Sequence, residues 1–420
     1  MSFFDIISVG GIRRSRRVVL ADLRARARLA EQPVPGFPAC SAALLDIDAA
    51  ASLEREWRQL AGAALEPNFC YEPDFAIAAA RHLRDTRNVR FVMVWHRDGG
   101  ALEGGAGARL IGCFPVTASR TDIGAALLRG WLNPQISNGT PLVDSAFAQE
   151  ALGAFLAFAG AQGGSPVGVL FPRLPLEGPF RRLLDETLQA ASRPIALFGA
   201  GSRAMLRLTG DPARGLSAKK KKELRRQYRR LGELGILTTE SASGLQIRDP
   251  IEHFMALEAA GWKGKAGTAF VQDPGRAAFL RAAARALAAS GRISVESILL
   301  DGKPIACGLL AWSGRQGYFW KITYDEAYAA YSPGVQLTLA LAERAQALGF
   351  LEAIDSCAIS DHPMIDHVWR DRLAVADVMV PLSTRSALRF SLAKAREGAK
   401  RDLRARVKST LYKLQGRTVS

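Results

Sequence analysis

The sequence contains one junction suited to holding an anion. Tyr331-Ser332-Pro333-Gly334 follows a strand pattern ending near Tyr324 and opens an apolar-periodic segment over 333–348. Proline favours the first helical position and serine the cap, so the helix is expected to start at Pro333 with Ser332 capping it. The backbone N–H groups of Gly334, Val335 and Gln336 would then face outward at a helix N-terminus, where unpaired donors and the helix dipole favour a phosphate. Strand 316–324 alternates Tyr318, Trp320, Ile322 and Tyr324 on one face with Phe319, Lys321 and Thr323 on the other. A lysine there is either a solvated edge residue or a functional cation, because burying it unpaired is costly. Asp325 ends this strand beside the anion site, and Asp355 ends the next strand of the unit. A carboxylate in such a place can accept an amine proton or hold a cationic group, or it can serve only as a turn former or cap.

Other chemistries have no matching constellation. There is no G-x-S-x-G elbow, Walker A loop or Ser/His/Asp arrangement, which disfavours hydrolases and NTPases. The five cysteines are scattered without a CxxC pair, and His82, His96, His253, His362 and His367 lack partners at metal-ligand spacing. No metal is therefore expected, and His362 stands as a candidate for acid–base work. Residues 261–270 (GWKGKAGTAF) have glycines at 261, 264 and 267, the composition of a mobile loop, and place Trp262 beside Lys263 and Lys265.

The elements that must position these residues come in two similar runs. A length of 420 residues suggests roughly two or three domains, and 48% hydrophobic with 23% charged residues is ordinary for a folded protein. In the first half a strand at 41–47 leads into a helix from about 49 capped by Asp48, then a second helix starting at Pro73. Strands at 89–96 and 108–117 follow, joined by the glycine-rich 99–107 as a hairpin loop. A helix at 145–161, a strand at 166–171, a helix at 178–191 and strands at 194–199 and 203–209 complete it. The second half repeats the order: strand 235–241, helices 249–261 and 274–289, strands 292–300, 303–312 and 316–324, helix 333–348, strand 351–356, a short helix near 363–370 and strand 374–380. Asp301-Gly302 and Ser313-Gly314 supply tight turns. The expectation is a mixed α/β fold in four parts: a basic arm (1–38), a first domain (39–214), a second domain carrying the anion site (215–383) and a basic amphipathic helix (384–420).

The net charge of +16 is concentrated rather than spread. Residues 13–28 carry seven arginines against Asp22, residues 219–230 eight cations against Glu223, and residues 384–420 eleven against Glu397 and Asp402, leaving the remainder net acidic. Such runs attract polyanions only when arranged on a suitable surface, and solvated faces are the expectation. In the last segment Leu388, Leu392, Ala395, Ala399, Leu403, Val407, Leu411 and Leu414 share one helical face. That stripe is expected to pack against the body of the protein, and contact with an anionic membrane surface is the alternative. The longest uncharged apolar run, 151–161, falls short of the roughly 20 residues that span a bilayer, and the N-terminus does not read as a signal peptide, so a cytoplasmic location is expected.

Five stretches together resemble a known group: 56–75, 219–235, 254–270, 305–337 and 354–369. They are similar to the GNAT superfamily of acyl-CoA N-acyltransferases, and more closely to the bacterial acetyltransferases named for the cellulose-biosynthesis protein CelD. FemAB-type peptidyltransferases, with two such domains in tandem, are cousins. The resemblance implies tandem GNAT-like domains and acyl transfer from acetyl-CoA or another acyl-CoA to an amine. It places the pyrophosphate at Ser332, Gly334, Val335 and Gln336, although only one glycine of the family's Q/R-x-x-G-x-G/A loop is present. It assigns the acceptor pocket to Glu258, Trp262 and Lys263, with Tyr324 and His362 as further substrate contacts. Asp355, Lys321 and Asp325 are the catalytic candidates. The implied acceptor is a small molecule or glycan, with a link to polysaccharide or cell-envelope metabolism; nucleic acid is not expected. Two other functions fit the same resemblance: a FemAB-like aminoacyltransferase using charged tRNA, and a non-catalytic assembly factor for exopolysaccharide synthesis.

Overall fold

A computed structural model describes residues 6–9, 12–84, 88–97, 107–118, 126–163, 166–383 and 387–414. The chain folds into two compact units, Met1–Pro73 with Arg87–Gly199 and Ala376–Ser420, and Asp74–Thr86 with Ala200–Val375. This division differs from the sequence boundaries, because 74–86 and 200–214 belong to the second unit and 376–383 to the first. The basic arm holds a two-stranded hairpin, Ile6–Val9 with Ile12–Ser15, and the helix Arg16–Leu29.

In the first unit Phe37–Leu45, Val89–Arg97, Ala108–Ala118 and Leu127–Gly130 pair antiparallel in succession. Leu127–Gly130 then pairs parallel with Gly168–Pro175. Apolar residues alternate inward along these strands and meet the helix Ala148–Ala161, whose Phe155 stacks on Phe114 at 3.9 Å between ring centroids. Arg97 opposes Ala108, as a hairpin requires; the expected loop itself lies mostly outside the described residues.

The second unit repeats this plan. Leu237–Ser243, Ile293–Leu300, Lys303–Ser313 and Gln316–Tyr324 form an antiparallel run, and Gln316–Tyr324 pairs parallel with Ala353–Asp355. Met205 to Arg207 pair with Ala353–Asp355 on its other side. The tight turns form as expected: Asp301 and Gly302 take φ of 50° and 75°, and Gly314 takes 53°. Leu310, Leu341, Ala345, Ile354, Val368 and Trp369 belong to the core beneath these elements. The basic helix Ala218–Gly232 buries only Leu224 and Leu231, with the Ser217 hydroxyl accepting from the Lys220 N–H at 3.2 Å.

Several local expectations need correction. The cap of the first helix after the arm is Asp46, which accepts from the Ala49 N–H at 2.9 Å; Asp48 lies inside that helix, Ile47–Ser52. The expected strands 194–199 and 203–209 are one strand, Ala196–Arg207, which passes through Gly199 at φ 56°. The helix Ala387–Leu414 does not bury its leucine stripe: Leu388, Leu392, Leu403 and Val407 are exposed, while Phe390, Ala393 and Glu397 are buried. Leucine periodicity identifies an amphipathic helix but not the face that docks. Here ion pairs to Arg129 and Asp377 select the other one. The side chains of Leu411 and Leu414 lie outside the description.

Candidate active site

The site forms where two strands part. Parallel pairing between Gln316–Tyr324 and Ala353–Asp355 ends at Tyr318 opposite Asp355. Beyond that pair, residues Phe319 to Tyr324 on one side and Ser356 to Ala358 on the other line a cavity of about 570 Å³. A β-bulge lies on the other edge of the same strand. Leu309 opposes Lys321 and Leu310 opposes Phe319, so Trp320 has no partner and the expected strict alternation breaks there. The second wall is the N-terminus of the helix Pro333–Leu348, contributing Ser332, Pro333, Gly334 and Val335. Glu258, Trp262, Lys263 and His362 complete the ring of expected residues.

The anion site is narrower than the sequence suggests. Ser332 is the cap residue, yet its side chain makes no capping bond and its backbone is left-handed, φ 54°. Its carbonyl accepts from both the Val335 and Gln336 N–H groups at 3.0 Å. The Gln336 side chain turns away to donate to the Leu224 carbonyl at 2.7 Å. Of the three expected donors, the Gly334 N–H is the one without a partner among the described residues. A Cβ on Gly334 would sit 3.1 Å from Tyr324 Cδ1 and 3.3 Å from Met364 Sδ, so these two side chains pack closely on the bare Cα.

The carboxylates around the cavity are all engaged. Asp355 is buried, and its two oxygens take a bidentate pair from Arg203 at 2.7 and 2.5 Å plus the Cys357 N–H at 2.9 Å. Burial works against the Arg203 charge, but the adjoining carboxylate outweighs it and raises the guanidinium pKa. Glu258 is buried and accepts from Lys263 Nζ at 2.7 Å and the Phe270 N–H at 2.8 Å. Asp325 caps the 3₁₀ turn Glu326–Tyr331 by accepting from the Ala327 N–H at 2.9 Å, and it does not line the cavity.

Lys321 is half-buried, its Nζ 5.8 Å from the Phe270 ring centroid and 5.7 Å from that of Trp320, so aromatic faces help to offset its burial. His362 is half-buried, and burial lowers its pKa, with Asp366 opposing. Its Nδ1 accepts from the Met364 and Ile365 N–H groups at 3.3 and 3.5 Å, which places the proton of the neutral ring on Nε2.

Residues 261–267 are more ordered than their glycines suggest. Trp262–Lys265 is a short helix, and Glu326 holds it by accepting from the Trp262 N–H at 2.6 Å and Lys265 Nζ at 3.1 Å. Sequence reasoning missed Glu326 and Arg203, since nothing local announces partners 61 and 152 residues away. It also missed Cys357, a non-glycine residue at φ 54° on the cavity wall, strained in the same way as Ser332.

The place equivalent to the anion site in the first unit is closed. There Asp144 accepts from the Ala146 N–H at 3.0 Å and pairs with Arg109 at 2.6 Å, which puts a carboxylate where an incoming anion would sit. Among the described residues no group of three or more His, Cys, Asp or Glu is placed to hold a metal ion.

Residues 218–362, within the cavity-bearing unit, match the acetyltransferase (GNAT) domain family. The structure of FemX is similar over 81% of this chain and 98% of its own, at 11% identity and TM-score 0.54, a likeness of fold. L-PGS from Bacillus licheniformis aligns over 83% of this chain and 96% of its own (13% identity, TM-score 0.45). A tandem GNAT protein from the clavulanic acid biosynthesis pathway aligns over 82% and 99% (12% identity, TM-score 0.42). No curated protein sequence is similar enough to count as a relative. The fold is mixed α/β, with the same order of strand pairing in both units.

Proposed function

We propose that the second unit is an N-acyltransferase that moves an acetyl or other acyl group from acyl-CoA to the amine of a small molecule or glycan. One observation carries this reading: the parted strands, the open Gly334 N–H and the expected acceptor residues Glu258, Trp262 and Lys263 all border one cavity. The resemblance to CelD-like acetyltransferases, with its cell-envelope connection, is part of the same reading. The unpartnered Gly334 N–H at the helix terminus, on the cavity wall, suits a phosphate of the donor.

When bound, acyl-CoA supplies the activated acyl group as a thioester. The residues of this chain orient and polarise. Neutral His362 can donate from Nε2 toward a developing oxyanion, a role in which a burial-lowered pKa keeps the ring uncharged. Asp355, saturated by Arg203, fixes the turn that carries Ser356 and Cys357 and does not act as the base. Glu258 and Lys263 form the polar floor of the acceptor side, with Trp262, 62% exposed, as an apolar face beside them. The amine proton leaves to water, since each carboxylate nearby is already paired.

Titration calorimetry with acetyl-CoA, followed by thiol release against a panel of amines, tests the reading. Micromolar binding with amine-dependent thiol release supports it; no binding at millimolar acetyl-CoA sinks it. A second reading, FemAB-like transfer from charged tRNA, is favoured by the closure of the Val335 and Gln336 N–H groups on Ser332, which leaves a single amide for a diphosphate. Aminoacyl transfer from charged tRNA without acetyl-CoA binding would establish it instead.

A further inference from the structure

The helix Ala387–Leu414 of the first unit has two opposed faces. One is docked. Phe390 and Ala393 are buried, Glu397 pairs with Arg129 at 2.9 Å and Arg401 at 2.7 Å, and Arg401 reaches Asp377 at 2.6 Å while lying 5.1 Å from the Phe198 ring centroid. The other is the leucine stripe, with Leu388, Leu392, Leu403 and Val407 exposed by 88, 61, 63 and 50% and exposed Ala395 and Ala399 between them. At 3.6 residues per turn the stripe from Leu388 to Leu403 falls in an arc of about 80°, roughly half a turn from Phe390, Ala393, Glu397 and Arg401. From Leu388 to Val407 it runs for about 28 Å.

Charge decides what can cover this face. Arg389, Arg396 and Lys400 line one side of the leucines, Arg406 lies among them and Asp402 borders the other side; over 387–407 seven cations stand against Glu397 and Asp402, and Glu397 is already paired. A second copy of the chain would bring two net-positive faces together at the stripe. Nucleic acid would meet the cations but leave the leucines in water. A bilayer surface with acidic headgroups satisfies both, since leucines enter the headgroup–acyl boundary while the long basic side chains keep their charges at the phosphates. We propose that this face docks the protein peripherally on anionic phospholipid membranes. No described helix is long and apolar enough to cross one.

Vesicle flotation with the full chain tests this, using phosphatidylcholine alone and phosphatidylcholine mixed with phosphatidylglycerol. The expected result is flotation with the mixed vesicles, weakened by salt. Leu392→Glu with Leu403→Glu should weaken it roughly tenfold or more at unchanged melting temperature, since both side chains point to solvent. Arg406→Gln should weaken it about fivefold. Leu388→Glu, at the most exposed of these leucines, provides the same test should the double variant melt early. Absence of flotation, equal flotation on neutral vesicles, or binding untouched by the Leu→Glu changes overturns the proposal. So does a concentration-dependent dimer that those changes abolish without any vesicle binding.

Discussion

Arg203 and Asp355 form a bidentate ion pair inside the second unit, both side chains under 5% exposed, one strand below the cavity wall. Met205 opposes Asp355 in the antiparallel pair, so the strand carrying Arg203 is hydrogen-bonded to the strand it charges. The pair ends the regular sheet at the point where the chain turns into Ser356 and Cys357. It therefore sets the geometry of one side of the site.

Breaking one partner should cost more than removing both. Asp355→Asn leaves a buried guanidinium without its counter-charge, an expected loss of about 3–5 kcal/mol, whereas Arg203→Met with Asp355→Leu should restore most of it. Thermal unfolding of the three proteins reads this directly. An Asp355→Asn protein melting within about 2 °C of the parent would show that the pair is not structural.

The second prediction concerns Gly334. Gly334→Ala places a methyl group 3.1 Å from the Tyr324 ring, a contact that a small ring shift relieves, so stability should fall by less than about 1 kcal/mol. The same methyl narrows the corner around the open N–H, and affinity for acetyl-CoA should drop roughly tenfold; Gly334→Asp adds charge repulsion and should drop it further. Unchanged affinity in both variants by calorimetry would remove the anion site from this helix.

Much of this architecture was legible where local chemistry dictates it. Ser332-Pro333 starts the helix 333–348 where expected, because proline acts through its own backbone, and the structure ends it at a left-handed Gly349, φ 74°. The meander was legible from its turn residues. The ladder's departure at Trp320 was not, since a bulge depends on the register with Lys303–Ser313. Nor was the single open amide, which follows from the left-handed Ser332 drawing two N–H groups onto its carbonyl. The roles of Asp355, Arg203 and Glu326 depend on partners distant in sequence, and strand-end aspartates look alike until those partners arrive.

His362 gives a pH prediction. Burial lowers its pKa from the ordinary 6.5, with Asp366 working the other way. As pH falls, the unfolded chain takes up this proton before the folded one does, so between the folded value and 6.5 the unfolded state holds more protons and stability rises with pH. The contribution is complete above 6.5 and is lost as pH falls through the folded value. Melting curves from pH 8 to pH 5 should therefore converge for the parent and His362→Gln toward acid, with the variant showing the shallower pH dependence. Parallel curves would mean that the ring titrates alike in both states.

The last prediction separates the two faces of the helix Ala387–Leu414 by stability alone. Phe390 is buried against Gly168, where a Cβ would lie 3.1 Å from its ring, so a glycine on the facing strand makes room for it. Leu127, Leu170 and Met379 share that cluster. Removing the ring leaves a cavity that a sheet cannot close, and Phe390→Ala should cost about 3–5 kcal/mol. Leu392, 61% exposed two residues later, gains nothing from the body of the unit, and Leu392→Ala should change stability by less than about 0.5 kcal/mol. Between them lies the ionic contact: Arg129 and Arg401 hold the Glu397 carboxyl below its usual range despite its burial, so Glu397→Ala should fall between the two. Denaturant unfolding of the three variants orders them. If Leu392→Ala proved the most damaging, the leucine stripe would be the docked face after all, and the helix would have to be turned by half a revolution.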